Sequence, residues 1–190
     1  MAGRNQDFGR YGARGIKGSE ATRRKLDSLA GGIATPVTEK RGLMARLRYL
    51  NRSERSKAAA QAAGLNVTPR TMKAWMEGKR APSKKNLERI ENAYGSVRKK
   101  NVARTMKTRL NNDGRGTRVE IHPANTSQVP QPQRRVAEHR NINVRDWDGI
   151  VDAWAQEDSA AMDTEWENVI VDLGSQWGQY EYVTNVGFSA

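Results

Sequence analysis

The spacing of apolar residues predicts a series of helices before residue 111. Leu43, Leu47 and Leu50 recur at intervals of three and four residues, which places them on one helical face. A segment with five alanines follows over residues 56 to 63 and ends at Gly64. The pattern therefore predicts two consecutive helices here, the second with a face of small side chains.

Two further helices have clear start signals. Thr68 is a favourable N-cap and Pro69 a favourable first helical residue, so a helix is predicted to begin near them and to end at Gly78. Pro82 and Ser83 open the next helix, which is predicted to run to about residue 110. Its apolar stripe consists of Leu87, Ile90, Tyr94 and Val97.

The pattern changes after residues 111 to 116, which form a turn signal of two Asn, one Asp and two Gly. Beyond this turn, short alternating or β-prone segments predict strands, and two segments that contain tryptophan predict helices. In chain order the elements are strands at 118–122 and 141–144, helices at 146–157 and from Asp163 or Thr164 to 173, and a strand at 180–188. The order β-β-α-α-β predicts a small α+β unit.

The first 18 residues are predicted to form a flexible basic arm, since five glycines alternate with cations. The cations suit phosphate groups and the rings can stack on bases, while a solvated tail is the alternative. Ser19 is then placed to cap a short helix that stops at the glycines 31 and 32. The cations and rings of the arm are Arg4, Arg10, Arg14, Lys17, Phe8 and Tyr11.

The distribution of charge indicates the kind of partner. Residues 1 to 118 contain 29 lysines and arginines against 9 acidic residues, whereas residues 119 to 190 contain 4 against 12. Such a basic segment favours a polyanion, and DNA is preferred over a membrane because no basic helix has a broad aromatic face. The lack of cysteine and of a long apolar run fits a cytoplasmic, nucleoid-associated protein with no membrane partner.

The helices near residues 56–63 and 68–78 meet the requirements of a helix-turn-helix. Alanines allow the helices to cross closely, Gly64 supplies the turn, and a stripe of Met and Trp buries one side of the second helix. Arg70 and Lys73 lie in its first turns, with donors for guanine edges or for phosphates. The predicted DNA-binding residues are Thr68, Arg70, Thr71, Lys73, Lys79, Arg80, Lys84 and Lys85.

Catalytic and metal chemistry has little support in the sequence. His122 and His139 have no second His or Cys at metal-ligand spacing, and no phosphate-binding P-loop is visible. Asp148 and Asp152 share a helical face, which an acidic, solvated surface explains better than a magnesium site. The sequence therefore predicts neither an enzyme nor a bound metal or cofactor.

These features together define the predicted organisation. The fold class is α+β, with an N-terminal all-α helix-turn-helix domain followed by a small acidic α+β domain. The predicted boundaries are 1–35 for the basic arm with its short helix, 36–110 for the helix-turn-helix domain with its long basic helix, and 117–190 for the acidic domain.

The order of these parts resembles two kinds of known protein. The helix-turn-helix is similar to repressor-type domains, with about two extra residues between the turn glycine and the second helix. From residue 43 to 188, the chain resembles the telomere terminal proteins of actinobacterial linear chromosomes and plasmids. The matching segments are MARLRYL at 44–50, RTM at 70–72 and INV at 142–144, the last after an Arg-rich stretch.

The second resemblance implies a protein that caps DNA ends. In that family a side-chain hydroxyl receives the first nucleotide, a DNA polymerase extends from it, and the protein remains covalently attached to the 5′ end. The implied partners are DNA, a DNA polymerase and another telomere-binding protein. The candidate hydroxyls in or before the matching loop are Thr126, Ser127 and Thr117.

Two other functions fit the same residues. A transcription regulator of the phage or plasmid repressor type would use the same DNA-binding domain and form a homodimer through the acidic unit. A non-specific architectural protein would coat DNA with its Gly/Arg arm and show a steep salt dependence. The residues proposed for the dimer interface of a regulator would equally serve a closed core; they are Tyr180, Tyr182, Val186 and Phe188.

Overall fold

The computed structural model describes residues 8–134, 136–171, 173 and 179–189, and the chain divides into two units. The helical unit comprises residues 31–102. The sheet unit combines the N-terminal segment up to Ala30 with the residues from Ala103 onward. This grouping differs from the predicted boundaries, because the N-terminal segment belongs with the C-terminal half of the chain.

The helical unit is formed by four helices around one apolar core. The helices are α2 (Lys40–Asn51), α3 (Glu54–Ala62), α4 (Pro69–Met76) and α5 (Lys84–Asn111), of which α5 contributes its residues up to Val102. The apolar stripes that predicted these helices supply the core, so the predicted helices are confirmed. The buried core residues are Leu47, Leu50, Ala60, Leu65, Trp75, Ile90, Ala93, Tyr94 and Val97.

One charged side chain is buried in the helical unit. The guanidinium of Arg46 donates to the backbone carbonyls of Ile33 (3.1 Å), Thr35 (2.7 Å) and Gly42 (3.1 Å). These carbonyls belong to the segment before α2 and to its first turn. The segment at 31–39 is therefore tied to α2 through the side chain of Arg46.

The longest helix is α5, with 28 residues. It matches the prediction of a helix from the Pro82-Ser83 cap to about residue 110, and its second half carries many cations. Within the described ranges, no helix has both the length and the apolar character that crossing a lipid bilayer requires.

The sheet unit contains a four-stranded antiparallel sheet with the strand order β1-β4-β2-β3. The strands are β1 (Ile16–Lys17), β2 (Thr117–Pro123), β3 (Arg140–Val144) and β4 (Tyr182–Gly187); the helices are α1 (Gly18–Ala30), α6 (Asp148–Gln156) and α7 (Ser159–Val171). The predicted element order β-β-α-α-β is present from β2 to β4. The chain combines helices with an antiparallel sheet, as expected for the α+β class.

The N-terminal segment differs from the predicted flexible arm. Strand β1 pairs with β4, and Arg14 exchanges two backbone hydrogen bonds with Asn125 (2.9 and 2.8 Å). The ring of Phe8 stacks on Tyr182 with centroids 3.8 Å apart, so it is not offered to a base. From residue 8 onward the segment is part of the sheet unit, while Arg4 lies outside the described residues.

Two helix starts also differ from prediction. Ser19 does not cap α1, because the helix begins one residue earlier and the Ser19 hydroxyl donates to Asp163. Helix α7 begins at Ser159 rather than at residue 163 or 164. Its first turn is capped by Asp158, whose carboxylate accepts a hydrogen bond from the backbone of Ala161 at 3.0 Å.

Three buried tryptophans anchor the core of the sheet unit, and each indole N–H has an acceptor. A satisfied indole can be buried without the cost of an orphaned donor, so these residues fix the helices against the sheet. The acceptors are the carbonyl of Val144 for Trp147 (3.0 Å), the carboxylate of Asp27 for Trp154 (2.9 Å) and the carbonyl of Tyr180 for Trp166 (2.9 Å).

The C-terminal strand belongs to this core. Tyr180, Val186 and Phe188 are 2%, 2% and 6% exposed, and Tyr182 is half-buried beneath Phe8. Of the two roles that fit these side chains, an interface or a closed core, the structure has the closed core. The strand therefore offers no broad apolar face for a second copy.

Candidate nucleic-acid interface

The turn between α3 and α4 is built on a glycine. Gly64 has a φ of 91°, in the left-handed region that glycine adopts without strain. Its N–H donates to Gln61 at 2.9 Å, and the next N–H, of Leu65, donates to Ala60 at 3.0 Å. These two bonds close the C-terminus of α3 in the Schellman pattern and turn the chain toward α4.

Helix α4 begins where the sequence predicts. The side chain of Thr68 accepts a hydrogen bond from the backbone N–H of Thr71 at 3.2 Å, and Pro69 is the first helical residue. The two threonine hydroxyls also lie 2.9 Å apart. Both residues were predicted to bind DNA, and both form the helix cap.

The two sides of α4 differ as a recognition helix requires. Trp75 is 3% exposed, while Met72 and Met76 are partly buried and pack against the same core. Arg70 and Lys73 lie on the other side and are exposed. A helix with one buried and one cationic face can enter the major groove without losing its own packing.

The net charge is distributed differently between the two structural units than between residues 1–118 and 119–190 of the sequence. The helical unit contains 17 lysines and arginines against 5 acidic residues, which gives +12, the net charge of the whole chain. The sheet unit contains 16 of each and is neutral. The excess of positive charge therefore resides entirely in the unit that contains α3 and α4.

The predicted cations around α4 are exposed, and an acidic residue lies among them. Glu77, the C-cap of α4, has its carboxylate 2.7 Å from Nζ of Lys79 and 3.8 Å from Nζ of Lys73. The hydrogen bond from Lys79 lowers the pKa of Glu77. The sequence analysis did not predict that Glu77 partly neutralises two of the predicted DNA-binding lysines. Of the predicted DNA-binding cations, those without an acidic partner among the described residues are Arg70, Arg80, Lys84 and Lys85.

The three candidate hydroxyls have different surroundings in the sheet unit. Thr117 is the first residue of β2, and its hydroxyl donates to the carbonyl of Leu110 at 2.6 Å. Thr126 is half-buried, whereas Ser127 is exposed in a turn of the loop between β2 and β3. The Ser127 hydroxyl has no hydrogen-bond partner in the described part of the chain. Ser127 is therefore the most accessible of the three.

The loop around Ser127 has a defined backbone. The N–H of Ser127 donates to the side chain of Asn125 at 2.9 Å, and its carbonyl accepts from the guanidinium of Arg134 at 2.7 Å. The side chain is thus presented on a fixed turn rather than on an unsupported loop.

The acidic pair on α6 has structural partners. Asp148 accepts a hydrogen bond from the side chain of Asn111 at 2.8 Å, and Asp152 lies 2.7 Å from Nζ of Lys107. This pairing raises the pKa of Lys107. Asp148 and Asp152 are both exposed, in agreement with the predicted solvated acidic surface, and their contacts also join α6 to the end of α5.

The two histidines lie together, which the sequence did not indicate. The ring centroids of His122 and His139 are 4.6 Å apart, and Glu120 completes a group whose ligand atoms all lie within 4.8 Å of one another. The available signal was the alternation of Glu120 and His122 in a strand, but the third member depends on the pairing of β2 with β3.

Comparison of the chain with protein-family models, with curated proteins and with solved structures found no match. Function must therefore be inferred from the residues and geometry of the sites.

Proposed function

We propose that the chain is a duplex DNA-binding protein that places α4 in the major groove. One observation supports this most strongly, namely that the two sides of α4 differ. The helix is capped by Thr68 and packs into the core through Trp75, whereas Arg70 and Lys73 are exposed on its opposite side. The surrounding unit carries a formal charge of +12. Phosphate attraction supplies most of the affinity of such proteins, and the groove contacts supply sequence preference.

The cations that follow α4 suit contacts with the DNA backbone. Arg80, Lys84 and Lys85 are exposed in the connection to α5 and in its first turn. A connection of this kind places side chains beside the groove rather than in it, so these residues bind phosphates and position the helix.

The proposed biological role is at the ends of linear replicons. The order of elements supports it through its similarity to telomere terminal proteins, and so does the exposed hydroxyl of Ser127. In this role the Ser127 oxygen attacks the α-phosphorus of a nucleoside triphosphate, a phosphodiester bond forms, and pyrophosphate leaves. The hydroxyl proton passes to a base of the partner polymerase. The protein is then the primer and a substrate, with the polymerase as the enzyme.

The DNA-binding proposal is tested by fluorescence anisotropy on a labelled duplex at several salt concentrations. Arg70→Ala should weaken binding by about 1–3 kcal/mol if it contacts a base edge, and Lys73→Ala should reduce the salt slope by about one if it contacts phosphate. Arg118→Ala, which removes an exposed cation from the neutral sheet unit, serves as the control. Unchanged affinity in both α4 variants would remove α4 as the DNA-contacting helix.

The end-priming role is tested on protein isolated from its native source. The protein is heated in SDS and run on a denaturing gel with and without nuclease, and peptides from the nuclease-treated sample are then mapped. Covalent attachment predicts a slow species that collapses to about the mass of the chain, 21.3 kDa, with a nucleotide on Ser127. Ser127→Ala should abolish the slow species, whereas Thr126→Ala should retain it. A single band that nuclease leaves unchanged would favour a non-covalent regulator.

A further inference from the structure

The loop between β2 and β3 is closed at its base by three potential metal ligands. Glu120 and His122 are two residues apart in β2, so both side chains lie on the same face of the sheet. His139 directly precedes β3. The pairing of Ile121 with Arg140 places position 139 across from position 122, which brings the two imidazoles together.

This face of the sheet is the open one. The alternate residues of β2, Val119 and Ile121, are 2% and 0% exposed, whereas Glu120 and His139 are exposed and His122 is half-buried. A divalent ion can therefore reach the group without unfolding the unit. The side chains can also rotate toward it without disturbing the core.

The backbone at the end of β2 is held in place. The hydroxyl of Thr184 on β4 lies 3.3 Å from the carbonyl of His122 and 3.1 Å from that of Pro123, with geometry for donating to either. The register between β2 and β4 shifts at this point, a β-bulge that redirects side chains. His122 is therefore anchored by its backbone, with its ring beside that of His139.

We propose that Glu120, His122 and His139 bind a divalent transition-metal ion, with Zn²⁺ as the natural probe. Two imidazoles and one carboxylate are ligands that first-row metals accept, and they leave further coordination positions open. The ligand atoms lie within 4.8 Å of one another. Tetrahedral zinc with bonds of about 2.0–2.1 Å needs about 3.3 Å between ligand atoms, which small side-chain rotations provide.

The bound ion would join the two ends of the loop that carries Thr126 and Ser127. Cross-linking the ends of a loop reduces the freedom of the chain between them, and an ion that binds only the folded state stabilises it. This inference does not depend on DNA binding, because all three ligands lie in the sheet unit.

One nearby cation is unfavourable for metal binding at this site. Nε of Arg118 lies 3.9 Å from Oε1 of Glu120, and the Arg118 side chain is 68% exposed. Its positive charge repels a metal ion and competes for the carboxylate, so removing it should strengthen metal binding.

The test is calorimetric titration of the full chain, freed of metal by a chelator, with ZnCl₂ alone. We expect one ion per chain, and a loss of affinity of about tenfold or more for His122→Ala, for His139→Ala and for Glu120→Gln. Arg118→Gln should bind more tightly. Glu138→Gln removes the neighbouring carboxylate, which lies outside the group, and should bind as the parent does.

Far-UV circular dichroism without metal establishes that each variant folds, and the absorption of bound Co²⁺ reports the coordination geometry of the ion. The absence of zinc binding by the parent would overturn the site, as would equal affinity in the parent and in a His122→Ala, His139→Ala double variant. Loss of zinc binding in Glu138→Gln would move the site away from these three residues.

Discussion

Arg46 and Glu91 are joined across the helical unit by two close approaches. Nε of Arg46 lies 2.8 Å from Oε2 of Glu91, and Nη2 donates to Oε1 at 3.1 Å. Arg46 is 4% exposed, whereas 43% of the Glu91 side chain is exposed. A desolvated cation on α2 is thus balanced by a partly solvated anion on α5, in addition to three backbone carbonyls.

Removing the Arg46 side chain should destabilise the chain strongly. Arg46→Ala leaves three carbonyls without their donor and opens a space in the core, so we expect a loss of about 3 kcal/mol or more. Chemical denaturation followed by circular dichroism measures this loss. Arg48→Ala, an exposed arginine on the same helix, is the control and should change stability by about 0.5 kcal/mol or less. Equal stability of the two variants would show that the buried network contributes nothing.

Neutralising Glu77 should strengthen DNA binding. Its carboxylate contacts Lys73 and Lys79, so Glu77→Gln releases both cations for phosphate. We expect an affinity for duplex DNA that is several-fold higher at low salt, with a steeper salt dependence. Glu88→Gln removes an exposed acid of the same unit and controls for net charge alone. If both variants gain equally, the contacts of Glu77 with the lysines have no specific effect.

The close approach of Gly18 to Trp166 makes the glycine essential to the sheet unit. A Cβ at position 18 would lie 2.0 Å from the indole ring of Trp166, which is buried. Gly18→Ala should therefore cost about 3 kcal/mol or more in the free energy of unfolding. Gly95 lies inside α5 with no atom near its Cβ position, so Gly95→Ala should be stabilising by up to about 1 kcal/mol. Thermal denaturation of the two variants should give shifts of opposite sign.

Glu20 should couple stability to pH in the acid range. A hydrogen bond from Arg23, aided by Arg24, lowers the pKa of Glu20 from 4.5 to about 2. A depressed pKa in the folded state means that the stabilisation is fully present above pH 4.5 and is lost as pH falls toward 2. The stability difference between the parent and Glu20→Gln should accordingly shrink over this window.

A titration of the Glu20 carboxyl by nuclear magnetic resonance tests the cause. Arg23→Ala should return the pKa toward 4.5, and Lys25→Ala should leave it near 2. An unchanged pKa in the Arg23 variant would assign the shift to another group.

The helices of the helical unit could be predicted because their signals are local. Thr68 and Pro69 mark the start of α4 within one turn, and Gly64 and Gly78 mark the ends of α3 and α4. The apolar stripe of each helix also determined which side is buried. Such signals require no knowledge of what the helix packs against.

The missed features depend on residues distant in the chain. Strand β1 has only two residues in a glycine-rich segment, and its pairing with β4 decides its structure. His139 meets His122 only through the β2–β3 register. Glu77 is different, because its partners Lys73 and Lys79 are close in sequence; what the sequence did not determine is the side-chain conformation that directs its carboxylate toward both.

The pairing of β1 with β4 has a consequence for how the protein is made on the ribosome. Ile16 must pair with Val183 before the sheet is complete, so the sheet unit closes only after β4 has been synthesised. The helical unit is contiguous, from residue 31 to 102, and emerges long before that point. Because segments fold as they emerge, the helical unit can fold on a nascent chain in which β1 has not yet paired with β4.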